Sequence, residues 1–348
     1  SKPASRIARS RRVEFQDRWN EGWPIIDHVA AQRIRRGAGR GDGMRGSRKR
    51  RLNRKNAASL FGRTMSSDAL QLRIAERELA LATAAGTELW RYCFRPDTPA
   101  DESRRPYFHP VRSLAGDALT NFRPNDHAWH HGLSLTLGSA GGVNFWGGPS
   151  YRPADGYRLR GDHGAQVHRG WGALEAGRIE EELEWVKVAS GRVLLTERRT
   201  LETALIEGGW SMRWRSELVN ATGAELALGN FHASQGLAGS HYTGLQFRGA
   251  RDLLDQHGDP MVGMRGEGGR EGEAAVHGVP ESRLDWHCQH DGSLRRTRIR
   301  FESLIGPIPW FVRAGNPLVA FAFHREQPRC LAAGETLLLD HRLSFVAG

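Results

Sequence analysis

Cysteine is scarce in this 348-residue chain, and the scarcity excludes a disulfide-built fold. Cys93, Cys288 and Cys330 are odd in number and widely spaced, with no Cys-x-x-Cys pair and no zinc pattern. They read as ordinary thiols of a reducing compartment, so the expected location is cytoplasmic. Long apolar runs are missing too. The longest near the C-terminus, Leu318-Val319-Ala320-Phe321-Ala322-Phe323, falls far short of the roughly 20 residues that cross a bilayer as a helix. No glycine-rich stretch ends in Gly-Lys-Ser or Gly-Lys-Thr, and no strand-linked Gly-x-Gly-x-x-Gly opens a helix, which excludes the common nucleotide folds. Helical periodicity is also weak, its best segment outside the N-terminal arm being the short stretch from Gly249 to His257.

Charge is unevenly spread. The formal net charge is +11, yet residues 1–64 hold 18 Lys and Arg against 5 Asp and Glu, while residues 65–348 hold 32 against 34. An Arg/Gly-rich arm of this kind buries too little apolar surface to offset its ordering entropy, so disorder is expected over 1–64. Three readings compete for it: phosphate contacts to nucleic acid, a solvated tail, or upstream sequence that the native protein lacks. The last is favoured, because Met65 opens a segment that runs straight into a strand pattern. Nucleic acid is then no expected partner beyond non-specific binding by the arm. Ser10-Arg11-Arg12-Val13-Glu14-Phe15 is close to a twin-arginine signal, but no apolar stretch of the required length follows it.

From residue 65 to 348 the dominant pattern has period two. Trp210, Met212, Trp214, Ser216 and Leu218 fall on one face of a strand, and Leu339, His341, Leu343 and Phe345 repeat the arrangement. Ala85-Gly86, Ser190-Gly191, Gly208-Gly209, Asp291-Gly292 and Ala333-Gly334 fit hairpin turns. Many strands with tight turns and few helices predict an all-β domain over 65–348, a large antiparallel two-sheet β-sandwich. The Gly-rich stretch from Gly258 to His277 reads as a mobile loop able to cover a cleft.

Six of the fifteen histidines lie between His109 and His168, densest in Asn125-Asp126-His127-Ala128-Trp129-His130-His131-Gly132. Neutral imidazole both moves protons near neutral pH and ligates metals. If Asp126 to Gly132 is extended, His127, Trp129 and His131 share one face and His130 takes the other. One imidazole then serves as base and another as acid, with Asp126 orienting a ring: His127 or His131 as base, His163 or His168 as acid. Trp129, Trp146 and Trp171 offer flat faces to a sugar ring, and Asn144 and Gln166 offer amides to its hydroxyls. An alternative uses His127, His131 and His168 as ligands of a divalent metal in an oxygenase or hydrolase; the main reading needs no cofactor. A third reading is a sugar-binding module without catalysis. Arg248 is a weaker substrate-binding candidate, and Glu197-Arg198-Arg199 reads as a solvated strand face. His232, His241 and Tyr242 flank the Gly-rich turn from Gly236 to Gly244 and are further candidates to approach the cluster.

Several ordered motifs together resemble the PmoA-like family of bacterial proteins: Arg105 to Gly116, Asp126 to Gly132, Asn144-Phe145-Trp146-Gly147-Gly148, His163-Gly164-Ala165-Gln166-Val167-His168, Gly244 to Arg248, Pro309 to Arg313 and Gly334-Glu335-Thr336. The resemblance covers the chain from about Met65 onward. It implies a soluble β-sandwich and, by analogy of fold with mutarotase-like supersandwich enzymes, histidine and carboxylate chemistry on a carbohydrate. It implies His109, Asp126, His127, His131, Asn144, His163 and His168 as site positions. The family label also suggests a methane-oxygenase subunit, a membrane enzyme that a chain without a spanning segment does not match.

Overall fold

The computed structural model describes residues 69–348, so the expectation of disorder over 1–64 lies outside the described residues. Two large antiparallel sheets dominate. The larger has nine strands in the order Leu70–Ile74, Glu78–Thr83, Glu88–Cys93, Tyr107–Val111, Leu133–Leu137, Thr243–Arg248, Leu318–Phe321, Ile308–Arg313 and Pro280–Glu281. The eight-stranded sheet runs Val262–Gly266, Arg283–Gln289, Arg296–Ser303, Thr336–Ala347, Gly209–Asn220, Arg192–Ile206, Arg178–Lys187 and Gly164–Glu175. The all-β, two-sheet sandwich expected from alternation is what the chain forms.

Alternation decides which side chains fill the space between the sheets. Trp210, Met212, Trp214 and Leu218 are fully buried, and Leu339, Leu343 and Phe345 of the neighbouring Thr336–Ala347 strand join them. Leu133, Leu135, Leu137, Leu245, Phe247, Val319 and Phe321 cover this core from the nine-stranded sheet. Indole N–H groups within it are satisfied: Trp90 Nε1 donates to Thr203 Oγ1 (3.1 Å) and Trp210 Nε1 to the Arg112 carbonyl (2.8 Å). At about 25 cal/mol per Å² and 150–250 Å² per ring, each buried Trp or Phe contributes roughly 4–6 kcal/mol before entropy is counted.

One sequence expectation needs correction. The stretch from Gly258 to His277 is no open loop, because Val262–Gly266 pairs in register with Arg283–Gln289 and a helical turn follows at Glu273–Val276. The weak helical periodicity from Gly249 to His257 corresponds to one 3-10 turn at Arg251–Leu253. From Gly258 to His277 local glycine content misleads, since pairing to a neighbouring strand and not intrinsic propensity sets the backbone.

Candidate functional site

The histidine-rich stretch is a closed loop and not a strand. His127 N–H donates to the Pro124 carbonyl (3.0 Å), His130 N–H to the His127 carbonyl (2.9 Å), and Arg123 N–H to the His130 carbonyl (2.9 Å). A turn in this place changes which imidazoles meet. His130 stacks on His127, with ring centroids 4.9 Å apart, while His131 packs on Tyr107 and Phe122 and bonds Glu102. The expectation that His127 and His131 share a face is therefore overturned by the turn geometry.

Around the stacked pair the charges are arranged in order. His127 Nδ1 lies 2.9 Å from Asp126 Oδ2. Arg248, at the end of the strand Thr243–Arg248, donates from Nη1 to His130 Nδ1 (3.3 Å) and from Nη2 to Asn316 Oδ1 (3.3 Å), with Nη2 3.7 Å from Asp126 Oδ1. The hydrogen bond with His127, helped by the Arg248 charge, holds the Asp126 carboxyl down at about 2. Burial pushes His130 well below its ordinary value, and the cations of Arg248 and Arg105 push the same way. At neutral pH His130 is thus an uncharged acceptor, and Asp126 is an anion facing His127. Asp126 and His127 are partly open to solvent, their side chains 38% and 33% exposed.

The outer face of the nine-stranded sheet supplies the floor. Strand residues that alternate with the core leucines there are Ser134, Thr136, Gln246 and Arg248, all buried. Gln246 is fully buried, and neither its Oε1 nor its Nε2 has a hydrogen-bond partner. Such a pair of orphaned atoms costs roughly 1–3 kcal/mol each unless a ligand or water completes them. Beside it lies a second apolar cluster, Phe311, Leu318, Ala320 and Ala322 with Tyr242, separate from the main core. Tyr242 bridges this cluster to the histidine loop, its ring 5.4 Å from Phe311 and 5.2 Å from Trp146, whose edge meets His130 at 5.5 Å.

Arg105 fastens these parts. Fully buried, it donates from Nη2 to the Trp129 carbonyl (2.6 Å), from Nη1 to the carbonyls of Trp146 (3.2 Å) and Glu102 (2.9 Å), and from Nε to Ser134 Oγ (3.1 Å). Gly148 completes the fit: at φ +70° it lies against Trp129 so closely that a Cβ would sit 2.5 Å from the indole.

The remaining expected site residues are placed elsewhere, each with its own partner. His131 is buried against Glu102 (Nε2–Oε2 2.9 Å), and burial lowers it to about 4. Burial alone would raise Glu102, but hydrogen bonds from His131 and Arg123 outweigh it and hold the carboxyl below its usual range. His109 reaches Thr120 (3.1 Å) and stacks on Phe122, and burial, helped by Arg112 and Arg91, lowers it to about 4. His163 donates to the Gly148 carbonyl (2.7 Å). Asn144 accepts from the N–H groups of Trp146 and Gly147 (both 2.9 Å) and donates to Ser150 (3.0 Å), holding the turn that carries Trp146. These are bonds that shape loops.

His168 and Gln166 lie in the interior network. His168 Nδ1 donates to Glu181 (2.8 Å), and Tyr92 OH donates to the same carboxylate. Gln166 donates to the Leu135 carbonyl (2.7 Å) and accepts from Arg199 (3.0 Å). Arg199 also grips Glu197 through two bonds (2.8 and 2.9 Å) and meets Tyr92 OH (2.8 Å). Glu197 and Arg199 are thus core residues, and only Arg198 between them faces solvent, beside Glu180. With His168 there and His131 on Glu102, the proposed ligand set His127, His131 and His168 does not assemble; among the described residues the one three-member group of suitable donors is His232, His241 and Glu326. A separate hollow of about 530 Å³, lined by Met261, Val262, His287 and Arg296 among others, borders none of the histidines between 109 and 168.

The fold and site define an antiparallel two-sheet sandwich that carries an imidazole, carboxylate and guanidinium cluster over the outer face of its larger sheet. The chain belongs to DUF6807, a family of unknown function, whose profile matches residues 80–348. No curated protein matches it in sequence. Among solved structures it is similar to a galactose mutarotase-like protein from Lactobacillus casei, at 11% identity and a TM-score of 0.36 over 81% of this chain and 99% of that one. A galactose mutarotase-like protein from Clostridium acetobutylicum matches at 10% identity and a TM-score of 0.36, over 80% and 98%. An α-galactosidase from Lactobacillus brevis matches at 7% identity and a TM-score of 0.34, over 80% of this chain and 39% of that one. The chain therefore spans about two fifths of that α-galactosidase's length. No helix of the described residues is long and apolar enough to cross a membrane.

Proposed function

We propose that this protein binds a carbohydrate or sugar derivative over the outer face of the nine-stranded sheet and transfers a proton at one of its carbons or at a glycosidic oxygen. The observation that carries the reading is the Asp126–His127 pair, 2.9 Å apart and partly exposed, stacked on a neutral His130 that Arg248 holds. Asp126 commits Nδ1 of His127, so proton exchange with substrate falls to Nε2. Arg248 supplies positive charge where an oxyanion would develop. Gln246, beneath the cluster, carries an amide donor and acceptor that no protein group pairs, and half-buried Tyr242, backed by Trp146 and Phe311, offers a ring to C–H groups. The main reading uses no metal at this cluster. That the chain is PmoA-like belongs to the same proposal and adds no oxygenase step to it.

The test is titration of the purified protein with a panel of monosaccharides and oxidised sugars, with products followed by mass spectrometry. Binding with turnover, both weakened in Gln246→Leu, supports the reading. Binding without any product reduces the protein to a sugar-binding module, and no binding removes the carbohydrate assignment.

A further inference from the structure

Away from the Asp126 cluster, three side chains from separate segments meet. His232 lies in the short helix Phe231–Gln235, His241 precedes the strand Thr243–Arg248, and Glu326 follows the strand Leu318–Phe321. One nitrogen or carboxylate oxygen from each falls within 4.8 Å of the others, and His232 Nε2 is 2.7 Å from Glu326 Oε2. A tetrahedral ion with bonds of about 2.1 Å needs donors about 3.4 Å apart, so small shifts suffice. We propose that His232, His241 and Glu326 form a binding site for a divalent transition metal of the zinc type.

Two further observations point to a ligand here. His241 is buried, and its Nδ1 donates to the Arg325 carbonyl (3.2 Å), which fixes the ring and leaves Nε2 the lone-pair atom. Metal-bound histidines use their second nitrogen in this way. The same carbonyl accepts from Asn230 Nδ2 (3.1 Å), and Asn230 Oδ1 caps the helix that carries His232 (2.7 Å to Ala233 N). One backbone position, adjacent to Glu326, therefore organises all three donors. Two imidazoles and one carboxylate suit zinc or a first-row neighbour better than calcium or magnesium, and three protein ligands leave a position for water or a bound molecule.

The experiment is calorimetric titration of the full chain, first stripped with chelator, with Zn²⁺, and with Co²⁺ as a spectroscopic probe read by its visible d–d bands. The expected result is one equivalent bound, with affinity lost by more than about 100-fold in both Glu326→Gln and His241→Gln, since even outer-shell changes cost 10–100-fold. Glu326 is exposed, so its variant keeps the fold and the test stands if His241→Gln does not fold. His127→Ala must leave the affinity unchanged, which separates this site from the Asp126 cluster. Absence of stoichiometric binding, or binding that Glu326→Gln leaves intact, overturns the proposal.

Discussion

Replacing Arg199 with methionine should be among the most destabilising single changes in the described domain. Its guanidinium is fully buried between the sheets, bonded twice to Glu197, once to Tyr92 OH and once to Gln166, and packed 4.6 Å over the Trp214 ring. Glu181 stands 3.9 Å away. Methionine fills much of the space but leaves two carboxylates without their cation. Breaking a buried pair in this way costs about 3–5 kcal/mol, against a total stability of about 5–15 kcal/mol for a domain. For a domain of this size that is a fall in thermal midpoint of roughly 5–9 °C. Urea unfolding followed by tryptophan fluorescence reads it directly, because Trp185 and Trp214 belong to the same network. Adding Glu197→Gln to Arg199→Met should recover part of the loss, since one stranded charge is then removed. A loss below about 1 kcal/mol, or a double variant as weak as the sum of the two single ones, would refute the claim that this network is coupled and dry.

Other predictions concern pH, packing and the loop. Burial pushes His341 down to about 3, so it stays neutral in the fold but ionises near 6.5 when unfolded. Its folded value lies below its unfolded one, so its contribution is fully present above pH 6.5 and is lost as pH falls toward 3. His341→Phe should therefore be about 2 kcal/mol more favourable relative to wild type at pH 5 than at pH 7, measured by denaturant midpoints at both pH values; equal differences at the two would contradict burial of a neutral ring. Gly148→Ala should displace Trp129, because the added carbon would lie 2.5 Å from the indole at a strained φ. The readouts are a shifted tryptophan emission and weaker saccharide binding, and unchanged spectra would show that the turn yields instead.

How much of this could be read from the chain varies with how each strand is exposed. Gly209–Asn220 and Thr336–Ala347 present one face to the core, so their period-two pattern was plain. Leu133–Leu137 and Thr243–Arg248 are buried throughout, and a strand buried on both faces loses its alternation. The long strand Gly164–Glu175 hid behind three glycines, of which Gly164 is needed because a Cβ there would strike the Phe145 ring at 2.2 Å. Glu197 and Arg199 were legible in principle: Leu195 and Leu201 set the phase of their strand and place 197 and 199 inward with them. Reading charge as solvated overrode that phase.

The site was half legible. Composition pointed to the loop around His127 and to Asp126 beside it, and Arg248 and Trp146 did join them. The loop's turns, which bring His130 and not His131 onto His127, depend on carbonyl pairing that no alternation rule foresees. Gln246, Arg105 and Glu102 were missed, since a lone amide, a guanidinium and a carboxylate carry no spacing signal and acquire meaning only through burial. Tyr242 was anticipated as a neighbour of the cluster, and its contact with Trp146 places it there.

The most direct measurement compares turnover and thermal midpoint for wild type and His127→Ala on whichever saccharide the panel identifies. The account predicts a fall in turnover of about 10²- to 10⁴-fold, the usual worth of a positioned acid or base, with the melting point nearly unchanged because the ring is partly exposed. Full activity in His127→Ala, or a collapse of folding in its place, would contradict the assignment of proton transfer to this imidazole.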